Sequence, residues 1–313
     1  MSAAEAQTAA SAAAADRSAR RERRGAPPGE PRRVGYVYVA PALVIYAVFL
    51  LFPLVRAVQI SFYKWDGLTL GSWVGLRNYA DILADPALRA AFGHAAVLIV
   101  FFALIPTAVG LVLASVVARA RVRGLTFFRT VIFLPQVVAM VVVAVTWRQI
   151  YAPDGPINDV LRFVGLGDLA RGWLGDFDLA LPAVGMVGTW VSIGLCFILF
   201  LAGTGKIPRE LYEAARIDGA GPIREFVSVT LPAVRNEIVV ALTLTVIAAL
   251  RTFDLVYVTT GGGPGNATTV PSYEVYRRAF ELGAVGSAAA IGVTLTAIIL
   301  LLNLVIARIG ERQ

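Results

Sequence analysis

The 313-residue chain holds one cysteine, Cys196, and one histidine, His94, and only 16% of its residues are charged. One cysteine excludes a disulfide framework, and its position inside an apolar run fits packing. A lone histidine at the edge of another apolar run fits a structural role better than metal ligation. The chain contains no His-Glu-x-x-His and no Gly-x-Ser-x-Gly, so it lacks the zinc-protease and serine-hydrolase signatures. Gly203-Thr-Gly-Lys206 resembles part of a phosphate-binding loop, but Phe200 stands where the leading glycine belongs and Ile207 where Ser or Thr belongs. This chain is therefore expected to bind no ATP by itself. Gly165-Leu-Gly-Asp168 falls in a loop and lacks the second aspartate of an aspartyl protease. No catalytic residue, metal ligand or bound cofactor is expected.

Apolar residues are what the chain does have. At 58% apolar and a mean hydropathy of +0.72 it is too apolar for a soluble domain. The expected fold is an all-α integral membrane protein. Six runs are each long enough to cross about 30 Å of hydrocarbon as a helix, the form that satisfies its own backbone groups. They span roughly 34–55, 95–118, 131–150, 179–202, 238–258 and 284–307. The first run lacks a small-residue cleavage site and reads as a retained span, with Tyr36, Tyr38 and Tyr46 as interfacial anchors. Pro106 and Pro135 interrupt two later runs, a break tolerated where neighbouring helices cover the freed carbonyls. Residues 1–33, rich in Ala, Arg and Pro, are expected to be a disordered basic tail, and 34–313 a single transmembrane domain. Gly283, Ala284, Gly286, Ser287, Ala288, Ala289 and Ala290 open the last run and predict close helix packing.

The net charge of +7 does not imply nucleic acid, because the basic residues lie between apolar runs and form no single solvated face. Topology accounts for it better. With the N-terminus inside, the inner segments hold eighteen Lys and Arg residues and the outer segments seven. This asymmetry predicts both termini in the cytoplasm, and with them the loop 203–235 between the fourth and fifth spans.

That loop holds the longest polar passage between two spans. Pro208 suits a first helical turn, Gly219 a left-handed stop, and Pro222 the start of a second short helix. The result is an elbow of two helices. Leu211, Ala214 and Ala215 share one face, and the paired alanines permit close approach of another surface to which Glu213 offers a charge. By spacing alone the elbow is either an ordinary loop helix pair or a docking site.

Arg251 and Asp254 stand three residues apart inside the fifth run and are expected on one helix face. Ionisable groups at that depth are costly and face a bundle interior or a water-filled path. They are either a structural ion pair or a solute contact. Arg56 and Arg148, at span ends, fit snorkelling.

The elbow residues carry a family resemblance. Glu213, Ala214, Ala215, Gly219, Leu231 and Pro232 fall in register with the signature of the membrane subunits of binding-protein-dependent ABC importers, with Val229 where that pattern has Ile. The resemblance continues through Ser61-Phe-Tyr-Lys-Trp65, Gly75-Leu-Arg-Asn-Tyr79, Phe128 to Pro135, Trp147 with Gly155-Pro-Ile-Asn158, and Thr260-Gly-Gly-Gly-Pro264. It is nearest to the first permease subunit of the maltose and multiple-sugar type. It implies a bacterial inner-membrane permease that moves a sugar or sugar-derived solute by alternating access. It also implies four kinds of partner besides lipid: a second homologous permease, two ATPase subunits that use ATP and Mg, and an extracytoplasmic solute-binding protein. Glu213, Ala214, Ala215, Asp218, Gly219, Leu231 and Pro232 would couple to an ATPase. Carried over from maltose-type relatives, the solute pathway would comprise Gly188, Val191, Ser192 and Leu195, with Ile247, Leu250, Arg251 and Asp254. Arg251, Asp254 and Leu195 depart from those relatives, so maltose specificity does not transfer. The alternative is an ATP-independent carrier or channel gated by Arg251 and Asp254; a scaffold without transport would leave the polar pathway positions without purpose.

Overall fold

The computed structural model describes residues 32–119 and 124–311, and the chain divides into two compact units, residues 1–56 and 57–313. The basic tail expected over 1–33 lies outside the described residues, apart from Arg32 and Arg33, with which the first helix begins. Arg121, Arg123 and Arg312 of the charge asymmetry also lie outside them.

The first span is α1 (Arg32–Tyr46), a π-helical turn (Ala47–Leu51) and α2 (Phe52–Ile60) in one run. The wide turn has a cause: Pro53 supplies no N–H and its ring crowds the preceding turn, so Phe52 N–H reaches back five residues to Ala47 O. The same device precedes Pro106, where Ile105 N–H reaches Val100 O, and Pro232, where Leu231 N–H reaches Phe226 O. Proline in these runs widens one turn and leaves the helix intact.

In the second unit a short ribbon, β1 (Tyr63–Lys64) antiparallel to β2 (Ser72–Trp73), leads into α3 (Arg77–Ala84). The ribbon corrects the all-α expectation in a small way. The second span starts earlier than its hydropathy suggests. α4 (Pro86–Ile99) begins where Asp85 accepts the Ala87 N–H and Pro86 fixes the first turn; a π turn (Val100–Leu104) and α5 (Ile105–Arg119) follow. The third run is broken. α6 (Leu125–Val137) and α7 (Met140–Ile150) meet at 97°, because Pro135 removes a helical bond near the end of α6 and Val138 and Ala139 are extended. After α8 (Pro156–Phe163) comes α9 (Ala180–Thr204), close to expectation. The elbow consists of α10 (Arg209–Ile217), α11 (Pro222–Glu225), a π turn (Phe226–Thr230) and α12 (Leu231–Ala233). It passes into α13 (Arg235–Leu250), and after a break come α14 (Asp254–Thr259), α15 (Pro271–Tyr276), a π turn (Arg277–Glu281) and α16 (Val285–Glu311).

Among the described residues four helices are long and apolar enough to cross a membrane: Tyr38–Ile60, Pro86–Val117, Ala180–Thr204 and Val285–Gly310. The number rises to six if the α6–α7 pair and the pair formed by Pro222–Ala233 and Arg235–Leu250, bent by 72°, each count as one.

α9 is the axis of the second unit. Its Val184, Val187 and Val191 pack with Phe102, Val143 and Leu255, and its Cys196, Phe197 and Phe200 pack with Leu111, Val234 and Ala241. Cys196 is fully buried there, the packing role its surroundings predict. The small residues of α16 also pack closely: Ala290 and Ile291 lie against Ile82 and Leu88, while Gly286 N–H bonds Trp65 O of the ribbon at 3.0 Å.

Candidate functional site

Local chemistry shapes the elbow. Pro208 caps α10, and the helix stops at Asp218 because Gly219 is left-handed, with φ of +78°. Gly219 N–H then bonds Arg216 O at 3.0 Å and Ala220 N–H bonds Ala215 O at 2.9 Å, the paired bonds of a Schellman stop. Pro222 starts α11 directly afterwards. Arg216 Nε donates to Glu225 Oε1 at 2.9 Å, and the hydroxyls of Tyr212 and Thr230 meet at 3.0 Å. Bonding to Glu225, then its charge, holds the Arg216 guanidinium above its ordinary range, with a minor push from Glu213. The Arg216–Glu225 bond thus ties α10 to α11 across the turn.

Glu213, Ala214, Asp218 and Gly219 are exposed on the elbow, as are Leu211, Ile217, Ile223 and Val227. Ala215 and Leu231 are half-buried and Pro232 is exposed. The elbow therefore presents the carboxylates of Glu210, Glu213 and Asp218 among small and apolar side chains, a surface suited to a protein groove. Glu225, Tyr212 and Thr230, which hold its angle, escaped the sequence reading because their pairing depends on the fold of the turn between them.

A second feature lies at the end of α13. Arg251 and Asp254 do not share a helix face, contrary to expectation: α13 ends at Leu250, residues 251–253 leave the helix, and Asp254 opens α14. The break has polar support. Thr252 Oγ1 donates to Ala248 O at 2.8 Å, and the Thr252 carbonyl, freed from the helix, accepts from Ser272 Oγ. Arg251 thereby sits at the negative end of α13 and Asp254 in the first turn of α14, positions that favour each charge by about 0.3–1 kcal/mol. No ion pair joins them among the described residues, and both are exposed. They line a cavity of about 340 Å³ with Phe102, Met140, Ile247 and Thr252.

The other expected pathway residues lie differently. Gly188, Val191, Ser192 and Leu250 are buried in helix packing, and Leu195 is half-buried. Gly188 adjoins the cavity indirectly: a Cβ there would fall 2.0 Å from Phe102 Cε2, so the absent side chain makes room for the ring that forms the cavity wall. Trp190, half exposed, meets Trp147 edge-on at 5.5 Å.

The remaining motifs resolve into scaffolding. Asn78 donates to the carbonyls of Ser61 and Tyr63 at 2.8 and 2.9 Å, and the hydroxyls of Ser61 and Tyr79 meet at 2.6 Å, which joins two of the resembling phrases. Asn158 is fully buried and ties Ala152, Pro153, Arg171 and Trp173 together. His94 Nδ1 lies 2.8 Å from Thr269 O, a structural bond. Lys206, of the failed phosphate loop, pairs with Glu237 at 3.1 Å.

A bundle of apolar helices with an exposed polar elbow at one end and a charged cavity within defines a multi-pass membrane protein of the transport class. The particular family follows from comparison: residues 67–313 match the binding-protein-dependent transport system inner membrane component, and the chain belongs to that family. It is 37% identical over 274 residues to the "Probable ABC transporter permease protein YurN" of Bacillus subtilis, covering 87% of this chain and 94% of that protein. It is 33% identical to the diacetylchitobiose uptake system permease protein NgcF of Streptomyces coelicolor, over 91% of this chain and 87% of that one. A permease of a bacterial alginate ABC transporter, crystallised with a pentasaccharide-bound periplasmic protein, shares the fold at a TM-score of 0.75 and 21% identity, over 89% of this chain and 94% of that one. This chain is accordingly a permease subunit of an ABC importer, in a family whose members are not themselves enzymes.

Proposed function

We propose that the chain moves a sugar or sugar-derived solute inward by alternating access, as one of two homologous permeases bound to two ATPase subunits and served by an extracytoplasmic solute-binding protein. The observation that carries this reading is the elbow, with Glu213-Ala-Ala, Gly219 and Leu231-Pro232 in register inside the family match. The named solutes of relatives support the substrate class: diacetylchitobiose, trehalose and maltose, and multiple sugars.

In this reading the chain crosses the membrane six times, with both termini and the elbow in the cytoplasm, in keeping with the excess of basic residues on that side. The surface of Glu213, Ala214, Ala215, Asp218 and Gly219, with Leu231 and Pro232 at its base, docks in a groove of one ATPase. ATP and Mg bind there and not on this chain. When the ATPases close, the stiff elbow moves with them, and α13, which follows α12 directly, transmits the displacement to the cavity at Arg251 and Asp254. Ile247 lines that cavity on the same helix and Leu250 is buried in the packing beside it, while Gly188, Val191, Ser192 and Leu195 set the packing of α9 behind it.

The test is uptake of labelled sugars by proteoliposomes holding both permeases, with and without the ATPase subunits, in the presence of loaded binding protein. Uptake that requires the ATPases and ATP is the expected result. Saccharide uptake that persists without them overturns the reading in favour of a carrier.

A further inference from the structure

Five aromatic rings run away from the cavity toward the end of the bundle opposite the elbow. Phe253, between Arg251 and Asp254, stacks on Tyr257 with centroids 5.2 Å apart and planes 16° apart. It also meets Tyr276 at 5.3 Å, and Tyr276 meets Phe280 at 5.4 Å. Tyr257 touches Tyr276 at 5.2 Å and Tyr273 at 6.2 Å. Phe253 borders the cavity, which lies against Phe102, midway along Pro86–Val117. At the other end of the ladder Arg278 pairs with Asp85, the residue that caps the start of that same span. The rings therefore link the mid-depth cavity to the face of the bundle far from the elbow.

Tyr273 packs against the core, but the other four rings do not. Phe253, Tyr257, Tyr276 and Phe280 belong to none of the buried apolar clusters among the described residues, and Tyr257 and Phe280 are 44% and 78% exposed. An aromatic face with a hydroxyl at its edge suits a ligand that is apolar on one side and polar at its rim. A pyranose has that character: its axial C–H groups form an apolar face and its equatorial hydroxyls a polar rim. The ring-to-ring step in the ladder is similar to the spacing of successive pyranoses in a linear saccharide. At the inner end Arg251 and Asp254, unpaired with each other, offer charge-assisted hydrogen bonds to hydroxyls.

We propose that Phe253, Tyr276 and Phe280, with Tyr257 alongside, form a stacking track that guides a linear saccharide of two or more pyranose units from the outer face to the cavity. This inference rests on the sugar-import reading above and adds to it the length class of the solute and the residues that select it. The track does not require high affinity at any one ring. Successive rings of equal strength let a chain advance one unit at a time without a deep trap.

The test uses the complete importer in proteoliposomes and a panel of α-1,4 and β-1,4 glucose oligomers and N-acetylglucosamine oligomers of one to four units. Tyr276→Leu and Phe280→Leu keep apolar bulk and remove the ring face. Each is expected to raise the KM for uptake about three- to tenfold for oligomers, with the effect growing with chain length, and to leave the monomer and the basal ATPase rate unchanged. Tyr276→Phe, which keeps the ring, is expected to retain most of the affinity and controls for folding. A wild-type protein that imports saccharides while both Leu variants leave the length dependence flat overturns the track alone. A wild-type protein that imports none of the panel despite ATP hydrolysis stimulated by loaded binding protein overturns the sugar reading, and the track with it.

Discussion

Arg216 and Glu225 meet at 2.9 Å across the turn at Gly219 and lock the two helices of the elbow at a fixed angle. The pair is asymmetric. Glu225 is nearly inaccessible, while the arginine is 59% exposed and partly screened by water, so the bond matters more to the buried carboxylate than to the arginine.

Arg216→Ala is accordingly expected to loosen the elbow locally. Hydrogen exchange at the amides of Gly219, Ala220 and Glu225 should quicken several-fold, while amides in α9 keep their rates. Stimulation of ATP hydrolysis by loaded binding protein should fall with it. Unchanged exchange would show that the pair does not hold the angle.

Gly219 allows a graded test. No atom lies within 4 Å of where its Cβ would be, so substitution there acts through the backbone alone. Asn tolerates the left-handed conformation and should retain coupling. Ala pays about 1 kcal/mol for it. Pro both forbids φ of +78° and deletes the N–H bonded to Arg216 O, and should abolish coupled uptake while insertion into the membrane persists. A series in which Pro equals Asn contradicts the role given to the turn.

The elbow was legible because its punctuation is local: Pro208, Gly219 and Pro222 act within one or two residues of themselves. Its brace was not, because Arg216 and Glu225 face each other only after the turn has closed. Hydropathy found the fifth span but not its end, since an average over apolar residues does not register the Thr252 carbonyl finding a donor in Ser272, twenty residues on. The charges at 251 and 254 were the available signal. Two ionisable residues in an apolar run are easier to accommodate at helix ends than along a continuous face. Strands of two residues, as in the ribbon, carry no alternation to read, and the early start of the second span was hidden by Arg89 and His94.

Gly188→Ala tests how α9 shapes the cavity. The added methyl would overlap the Phe102 ring and push it toward the cavity, at a packing cost of about 1–3 kcal/mol. Uptake should weaken through KM, and the double variant Gly188→Ala with Phe102→Leu should recover part of the loss. Failure of the second substitution to rescue would show that the ring is not the link.

The turn after β1 has a defined pH dependence. Asp66 accepts the backbone N–H groups of Thr69 and Leu68 and the Thr69 hydroxyl, and these bonds hold its carboxyl below its ordinary value of 3.8. A lowered folded pKa means that its contribution is complete above about pH 3.8 and is lost as the pH falls through the lower folded value. Protection of the Leu68 and Thr69 amides, corrected for intrinsic exchange, should stay level from pH 7 to 5 and fall only in stronger acid. Asp66→Asn should remove that acid transition.

In the proposed cycle the carboxylate of Glu213 on the elbow helps transmit ATPase closure to the solute cavity. The decisive measurement is solute uptake and substrate-stimulated ATP hydrolysis, followed side by side in proteoliposomes holding the complete importer with Glu213→Lys in this chain. The expected result is assembled complexes whose substrate-stimulated hydrolysis and uptake are both lost. Normal coupled transport by that variant would contradict it.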